Sequence, residues 1–192
     1  MLHLLQFSPA VRIEPDGTAR TGPKPVAVLP GSFDPLHHGH AALARAAAAH
    51  LGVDGHCELS VTNADKPELP RDEVERRAAQ FAGVGPVWVT RAATFEAKAD
   101  LFPGAAFVLG WDTAVRVIDP KYYGGEPGRD AALRKLVACG CRLVVGGRID
   151  AAGAFRVWDG AVAEEFAGLF VALAEADFRA DVSSTLLRSQ SS

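Results

Sequence analysis

Cysteine is scarce in this chain: Cys57, Cys139 and Cys141 are the only three among 192 residues. An odd number without framework spacing excludes a disulfide-stapled fold and fits a reducing compartment, so a cytoplasmic setting is expected. Cys139-Gly140-Cys141 lacks the partner ligands of a zinc site, and no protein-bound metal is expected. Positive charge is not in excess either: 20 Lys and Arg stand against 23 Asp and Glu, a formal net charge of −3. Without a basic block, nucleic acid is not the expected partner, because binding to a phosphate backbone leaves a basic footprint. No apolar run approaches the ~20 residues that cross a bilayer, so no membrane association is expected. The first segment, Met1-Leu2-His3-Leu4-Leu5-Gln6-Phe7, lacks the basic start and long apolar stretch of a secretory signal. What remains is ordinary in composition, 48% apolar and 22% charged, and long enough for one domain with a sizeable core.

Turn residues crowd the start of the chain. Pro9, Pro15, Asp16-Gly17, Gly22-Pro23 and Pro25 interrupt it every few positions. Residues 1–24 therefore read as an extended N-terminal arm or linker, with a short hairpin around Asp16-Gly17, and 25–192 as the domain. Short apolar strand candidates then follow at 26–29, 57–62, 86–90, 105–110, 141–146 and 169–173. Helix candidates lie at 39–50, 71–82, 94–101, 111–118, 129–138, 161–166 and 184–189. Their alternation predicts an α/β fold with a doubly wound parallel sheet. Residues 119–130 read as a long irregular loop on the side where such sheets bind ligands.

The densest chemical signal is Gly31-Ser32-Phe33-Asp34-Pro35-Leu36-His37-His38-Gly39-His40. It joins the strand at 26–29 to an alanine-rich helix. Gly31 allows a sharp turn and close approach of a phosphate, and Pro35 stiffens the loop. His37 and His40, three apart, share a face of the first helical turn. There the unpaired N–H groups and the helix dipole favour an anion. Two imidazoles at that place suit the extra charge of a pentacoordinate phosphoryl transition state. Gly39 keeps the space between them open, while His38 is expected to face solvent or a partner loop. Near the other end, Val182-Ser183-Ser184-Thr185-Leu186-Leu187-Arg188 places hydroxyls at a helix N-cap and an arginine one turn on. That pattern suits the β- and γ-phosphates of a nucleoside triphosphate and the leaving pyrophosphate.

The H-x-G-H and S-S-T-x-x-R segments together resemble the nucleotidyltransferase α/β phosphodiesterase superfamily. Within it the chain is similar to the nicotinamide or nicotinic acid mononucleotide adenylyltransferases, over about residues 26–190. Val182 replaces the usual Ile. The resemblance implies a Rossmann-like fold. It also implies transfer of AMP from ATP to a mononucleotide 5′-phosphate, with Mg²⁺ brought by ATP. His37, His40 and Arg188 would then be catalytic. Gly31, Ser32, Phe33, Gly39, Ser183, Ser184 and Thr185 would bind ATP or its phosphates. Asn63-Ala64-Asp65-Lys66-Pro67 resembles the pyridine-nucleotide branch, where Lys66 and Arg76 would face phosphate. Gly110-Trp111-Asp112 resembles a G-x-D segment, in which Gly110 and Asp112 contact adenosine; Trp111 stands where a small residue is usual. Thr94-Phe95-Glu96 resembles T-W-E, with Phe95 as a smaller stacking surface for the acceptor base. Phe95, Trp111 and Tyr122 are thus the acceptor candidates, Tyr122 and Tyr123 reading equally as a lid or as packing on the sheet edge. Trp88 reads as core and Glu164-Glu165 as a solvated face. Three further segments, Leu101-Phe102-Pro103-Gly104, Asp119-Pro120-Lys121-Tyr122-Tyr123-Gly124 and Val145-Gly146-Gly147-Arg148, resemble a bacterial and plant subgroup. Its members are sometimes fused behind a domain like competence-damage-inducible protein A, a family that includes nicotinamide mononucleotide deamidases. Other readings stay open: a sister transferase using CTP or phosphopantetheine, a nucleotide-binding module without rapid turnover, and an interaction domain. No oligomeric state follows from the sequence.

Overall fold

The computed structural model describes residues 8–62, 67–150, 152–160 and 162–179. One eight-stranded sheet runs through it. In chain order the strands are β1 Ala10–Ile13, β2 Ala19–Arg20, β3 Ala27–Pro30, β4 Gly55–Ser60, β5 Val87–Thr90, β6 Ala106–Gly110 and β7 Arg142–Gly146. A separate small hairpin pairs β8 Arg148–Ile149 with β9 Phe155–Arg156, and β10 Phe170–Ala172 returns to the main sheet. Strand order across that sheet is β10-β7-β6-β3-β4-β5-β1-β2. The six predicted strands are all present, and they pair in parallel from β10 to β5.

Alternation along each strand sorts the core into two layers. Leu29, Leu59, Val87, Val89, Val108 and Val144 pack with Leu43 and Ala47 of α1 (His38–Leu51) and Val74 and Ala78 of α2 (Arg71–Ala79). Val28, Trp88, Phe107, Leu109, Leu143 and Val145 face the other way. They meet α3 (Phe95–Leu101), α4 (Trp111–Ile118) and α5 (Glu126–Ala138). Strands apolar on both faces need helices on both faces, which is the doubly wound arrangement.

The N-terminal segment departs from the sequence reading. Its hairpin turns at Asp16-Gly17, and β1 is not a detached arm: it pairs antiparallel with β5, Val11 opposite Val89 and Ile13 opposite Val87. Val11 and Ile13 are buried in the first core layer. Proline and glycine punctuation hid a strand only four residues long. Ile13→Ala is expected to cost about 2–5 kcal/mol, the usual range for emptying a buried aliphatic position. Urea unfolding measures this, and a change below about 0.5 kcal/mol, the level of a surface substitution, would show a detachable arm.

Residues 119–130 are also more ordered than a loop. Pro120–Tyr123 form a 3₁₀ turn, closed by Gly124 at φ 71°, and α5 starts at Glu126 with Pro127 in its first turn. The residues that read as breakers are here a helix stop and a helix start. The candidate helix at 161–166 is a 3₁₀ turn at Glu164–Leu169, and the one at 184–189 lies outside the described residues.

The order of connections fixes where a ligand can enter. From β3 the chain moves through α1, β4, α2 and β5 in one direction, then crosses by α3 to β6 on the other side of β3. Neighbours whose connections depart in opposite directions leave a crevice at their carboxyl ends. Here the crevice is open, because β3 and β6 pair only at Ala27–Ala106 and Val28–Phe107, whereas β6 stays paired with β7 up to Gly110–Gly146. Pro30, at the end of β3, has no N–H to continue a ladder.

Candidate functional site

The loop from Gly31 to His37 leaves β3 at that crevice. Gly31 donates its N–H to the Glu58 carbonyl at 2.9 Å. A Cβ on Gly31 would come within 2.8 Å of the Phe33 ring, so glycine is required here by packing. Phe33 has a φ of 46°, in the left-handed region that a bulky residue rarely occupies. Its ring is buried, edge-on to His40 at 5.1 Å and to Phe81 at 5.0 Å. Phe33, predicted among the phosphate-binding residues, therefore puts its side chain under His40 and leaves only its backbone toward the loop. Ser32 is exposed.

Helix α2 grips this loop. The Gln80 side-chain amide donates to the Phe33 carbonyl at 2.8 Å and accepts from the Leu36 N–H at 2.8 Å. Arg77 donates to the Ser32 carbonyl at 2.9 Å and to Asp34 at 3.2 Å. Arg76 reaches Asp34 at 2.7 Å and Glu73 at 2.7 Å. Hydrogen bonds from Arg76, then Arg77, hold the Glu73 carboxyl down at about 2. Arg76, expected at phosphate, thus already has two carboxylate partners and braces the loop through Asp34. Arg77 and Gln80 went unread in the sequence, where a charged helix offers no sign of which residues reach a loop more than forty positions back.

His37 caps α1 in an extended conformation, and its N–H donates to Nδ1 of His40 at 3.3 Å. Their rings stack at 3.7 Å, 26° from parallel. Gly39 is buried in the first turn of α1, but the space expected to stay open between the two histidines is closed by their stacked rings. His38 is exposed, as expected for the intervening position. An Nδ1 that accepts places the proton of neutral His40 on Nε2. Burial, and then the proximity of His37, lowers the His40 pKa to about 4. His37 is lowered too, by burial first and by His38 second. Both rings are therefore neutral donors near pH 7 rather than cations. Since the folded value lies below the ordinary 6.5, the unfolded chain takes up its proton first. Stability linked to His40 is full above pH 6.5 and falls as pH drops toward 4. An NMR titration of the His40 ring is expected to show a midpoint near 4, and a midpoint near 6.5 would contradict the buried neutral pair.

Across the crevice, Gly110 ends β6 and caps α4. Asp112 accepts from Arg148 at 2.8 Å. The Arg148 guanidinium also lies over the Trp111 ring, 5.9 Å from its centre. Trp111 meets Trp158 edge-on at 5.3 Å, and Trp158 stacks on Phe170 at 5.6 Å. Trp111 is thus engaged by the chain that follows β7, which contains the β8–β9 hairpin. Gly147, just before that hairpin, has no room for a side chain: a Cβ would meet the Arg156 carbonyl at 2.5 Å. Arg148 enters the site by this route.

Phe95 starts α3 behind its Thr94 N-cap, half-buried and edge-on to Phe107 at 5.6 Å. Tyr122 stands apart, 40% exposed, under the Lys121 ammonium. The Tyr123 hydroxyl is pushed up to about 12 by burial and then by the charge of Glu96. Of the two tyrosines, Tyr123 is the more buried. Lys66, Ser183, Ser184, Thr185 and Arg188 lie outside the described residues. No group of three or more His, Cys, Asp or Glu suited to a metal ion occurs among the described residues. No helix among them is long and apolar enough to cross a membrane.

A doubly wound α/β domain with a crevice at the carboxyl ends of β3 and β6 belongs to the class of Rossmann-like ligand-binding proteins. The cytidylyltransferase-like family model matches residues 28–190. The chain belongs to that family, which makes it a nucleotidyltransferase. Among curated proteins no relative matches it.

Proposed function

We propose that this nucleotidyltransferase joins the 5′-phosphate of nicotinamide mononucleotide or nicotinic acid mononucleotide to the AMP portion of ATP, releasing pyrophosphate. The observation that carries the reading is the neutral, stacked His37–His40 pair at the start of α1, on the lip of the β3–β6 crevice. The acceptor phosphate is already an anion, so no general base and no covalent intermediate are required. One oxygen of the acceptor attacks the α-phosphorus, and the bond to the bridging oxygen of pyrophosphate breaks. Catalysis is then positioning plus stabilisation of charge. Neutral imidazoles donate hydrogen bonds to the α-phosphate as its equatorial oxygens gain charge. Ser183, Ser184, Thr185 and Arg188, by resemblance, hold the leaving phosphates, and Lys66 adds a positive charge. Mg²⁺ enters as part of the ATP substrate. Phe95, Trp111 and Tyr122 would line the acceptor side, where an aromatic surface suits a pyridine ring.

The test is pyrophosphate release from ATP and Mg²⁺ with nicotinamide mononucleotide, nicotinic acid mononucleotide and phosphopantetheine supplied separately, and a parallel series with CTP. Release with a pyridine mononucleotide and ATP alone is expected. Release only with CTP or only with phosphopantetheine would replace this reading by a sister transferase, and ATP binding without release would indicate a binding module.

A further inference from the structure

A buried ion pair lies beneath the acceptor side, and the steps above make no use of it. Glu58, on β4, is fully buried, and Lys98, on α3, is 5% exposed. Lys98 Nζ donates to Glu58 Oε2 at 2.7 Å and to the Ala92 carbonyl at 2.8 Å. The other carboxylate oxygen accepts from the Thr90 hydroxyl, and that hydroxyl in turn accepts from the Ala92 N–H at 3.2 Å. Both backbone polar groups of Ala92 are thereby held by side chains anchored in the middle of the sheet, the carbonyl accepting from the Ser60 hydroxyl of β4 at 2.7 Å as well as from Lys98. Ala92 belongs to the short connection from β5 to α3, which delivers Thr94 to the cap and Phe95 to the rim.

Stability alone does not account for such a pair. Replacing a buried ion pair by apolar residues of similar volume is often neutral or favourable, because desolvation opposes the Coulomb attraction. What an apolar pair could not do is donate to the Ala92 carbonyl, as Lys98 does, and orient the Thr90 hydroxyl that accepts from the Ala92 amide, as Glu58 does. We infer that Glu58 and Lys98 are positioning residues for the acceptor: through Ala92 they fix the β5–α3 connection and hence the placement of Phe95. The inference rests on the proposed reading that Phe95 faces the acceptor base. The β3–α1 loop is held by Gln80 and Arg77 and meets Glu58 only through the backbone, where the Gly31 N–H donates to the Glu58 carbonyl, so a side-chain substitution at Glu58 leaves that bond in place.

The variant Glu58→Gln with Lys98→Met tests it. Glutamine keeps an acceptor for Thr90, methionine fills the volume of the lysine stem, and no charge is left unpaired. Amide hydrogen exchange is expected to accelerate at residues 92–97 and to stay unchanged at 31–40. KM for nicotinamide mononucleotide or nicotinic acid mononucleotide is expected to rise roughly tenfold, the order set by losing a charged hydrogen bond. KM for ATP should stay within about twofold. A folded variant with unchanged exchange at 92–97, or with an unchanged acceptor KM, overturns the inference, as does a rise in both KM values together. Absence of turnover by the unaltered protein with any acceptor would instead defeat the proposed reaction, and with it the acceptor role. Accelerated exchange at 92–97 would even then show the network holding its loop.

Discussion

Replacing His40 by alanine is expected to lower kcat about 100- to 1000-fold, the usual consequence of deleting one preorganised donor from a site that stabilises developing negative charge. Several features of His40 lead to this magnitude. Its Nδ1 already accepts from the His37 N–H, so the ring is oriented and its remaining proton sits on Nε2. Its reverse side rests on the buried Phe33 ring, which limits the rotamers open to it. A low pKa, about 4, keeps it a neutral donor across the physiological range. The substitution removes the donor without removing Phe33, Gln80 or the α2 clamp, so far-ultraviolet circular dichroism should be unchanged. ATP affinity should fall far less than kcat, because the interaction strengthens in the transition state. Single-turnover pyrophosphate release measures the effect. A kcat within about twofold of the unaltered protein would mean that the imidazole pair does not face the reacting phosphate.

Removing Lys98 alone is expected to be the most damaging single change to stability. Lys98→Met leaves Glu58 buried, without its ammonium partner, in a strand covered on both faces. Breaking a buried pair from one side typically costs 3–5 kcal/mol, because an uncompensated charge remains. Glu58→Gln added to it removes that charge and should restore most of the loss. The double variant is therefore expected to be more stable than Lys98→Met, the reverse of what independent sites would show. Urea unfolding of the two single variants and the double one measures the coupling. Simple additivity would mean that the two groups do not interact as the 2.7 Å contact requires.

Local pattern was enough for much of this protein. The parallel sheet was legible because strands covered on both faces are short apolar runs, and the helices between them keep a different period. The chemical reading was legible because a strand, a glycine, two histidines three apart and an alanine-rich helix are consecutive in the chain. Consecutive residues need no tertiary information to be neighbours. Family membership over residues 28–190 agrees with that reading at the level of nucleotidyltransfer.

Other parts depended on residues far apart in sequence. Strand β1 is too short and too interrupted to declare itself, and only its pairing with β5 makes it part of the core. The Arg76–Asp34 pair, the grip of Gln80 and Arg77 on the β3–α1 loop, and the Arg148–Asp112 pair all join residues 36 or more positions apart. Tyr122 and Tyr123 are equivalent as letters, and the 3₁₀ turn decides which of them is exposed. Glu58 and Lys98 went unread in the sequence, since nothing local marks a charge as buried. By itself, then, the sequence determined the kind of sheet and the makeup of its first loop, because periodicity and adjacency are local properties. Tertiary structure alone decided how that loop is held, which aromatic residues border it and where two charges are buried, because those depend on which distant segments the fold brings within hydrogen-bonding range.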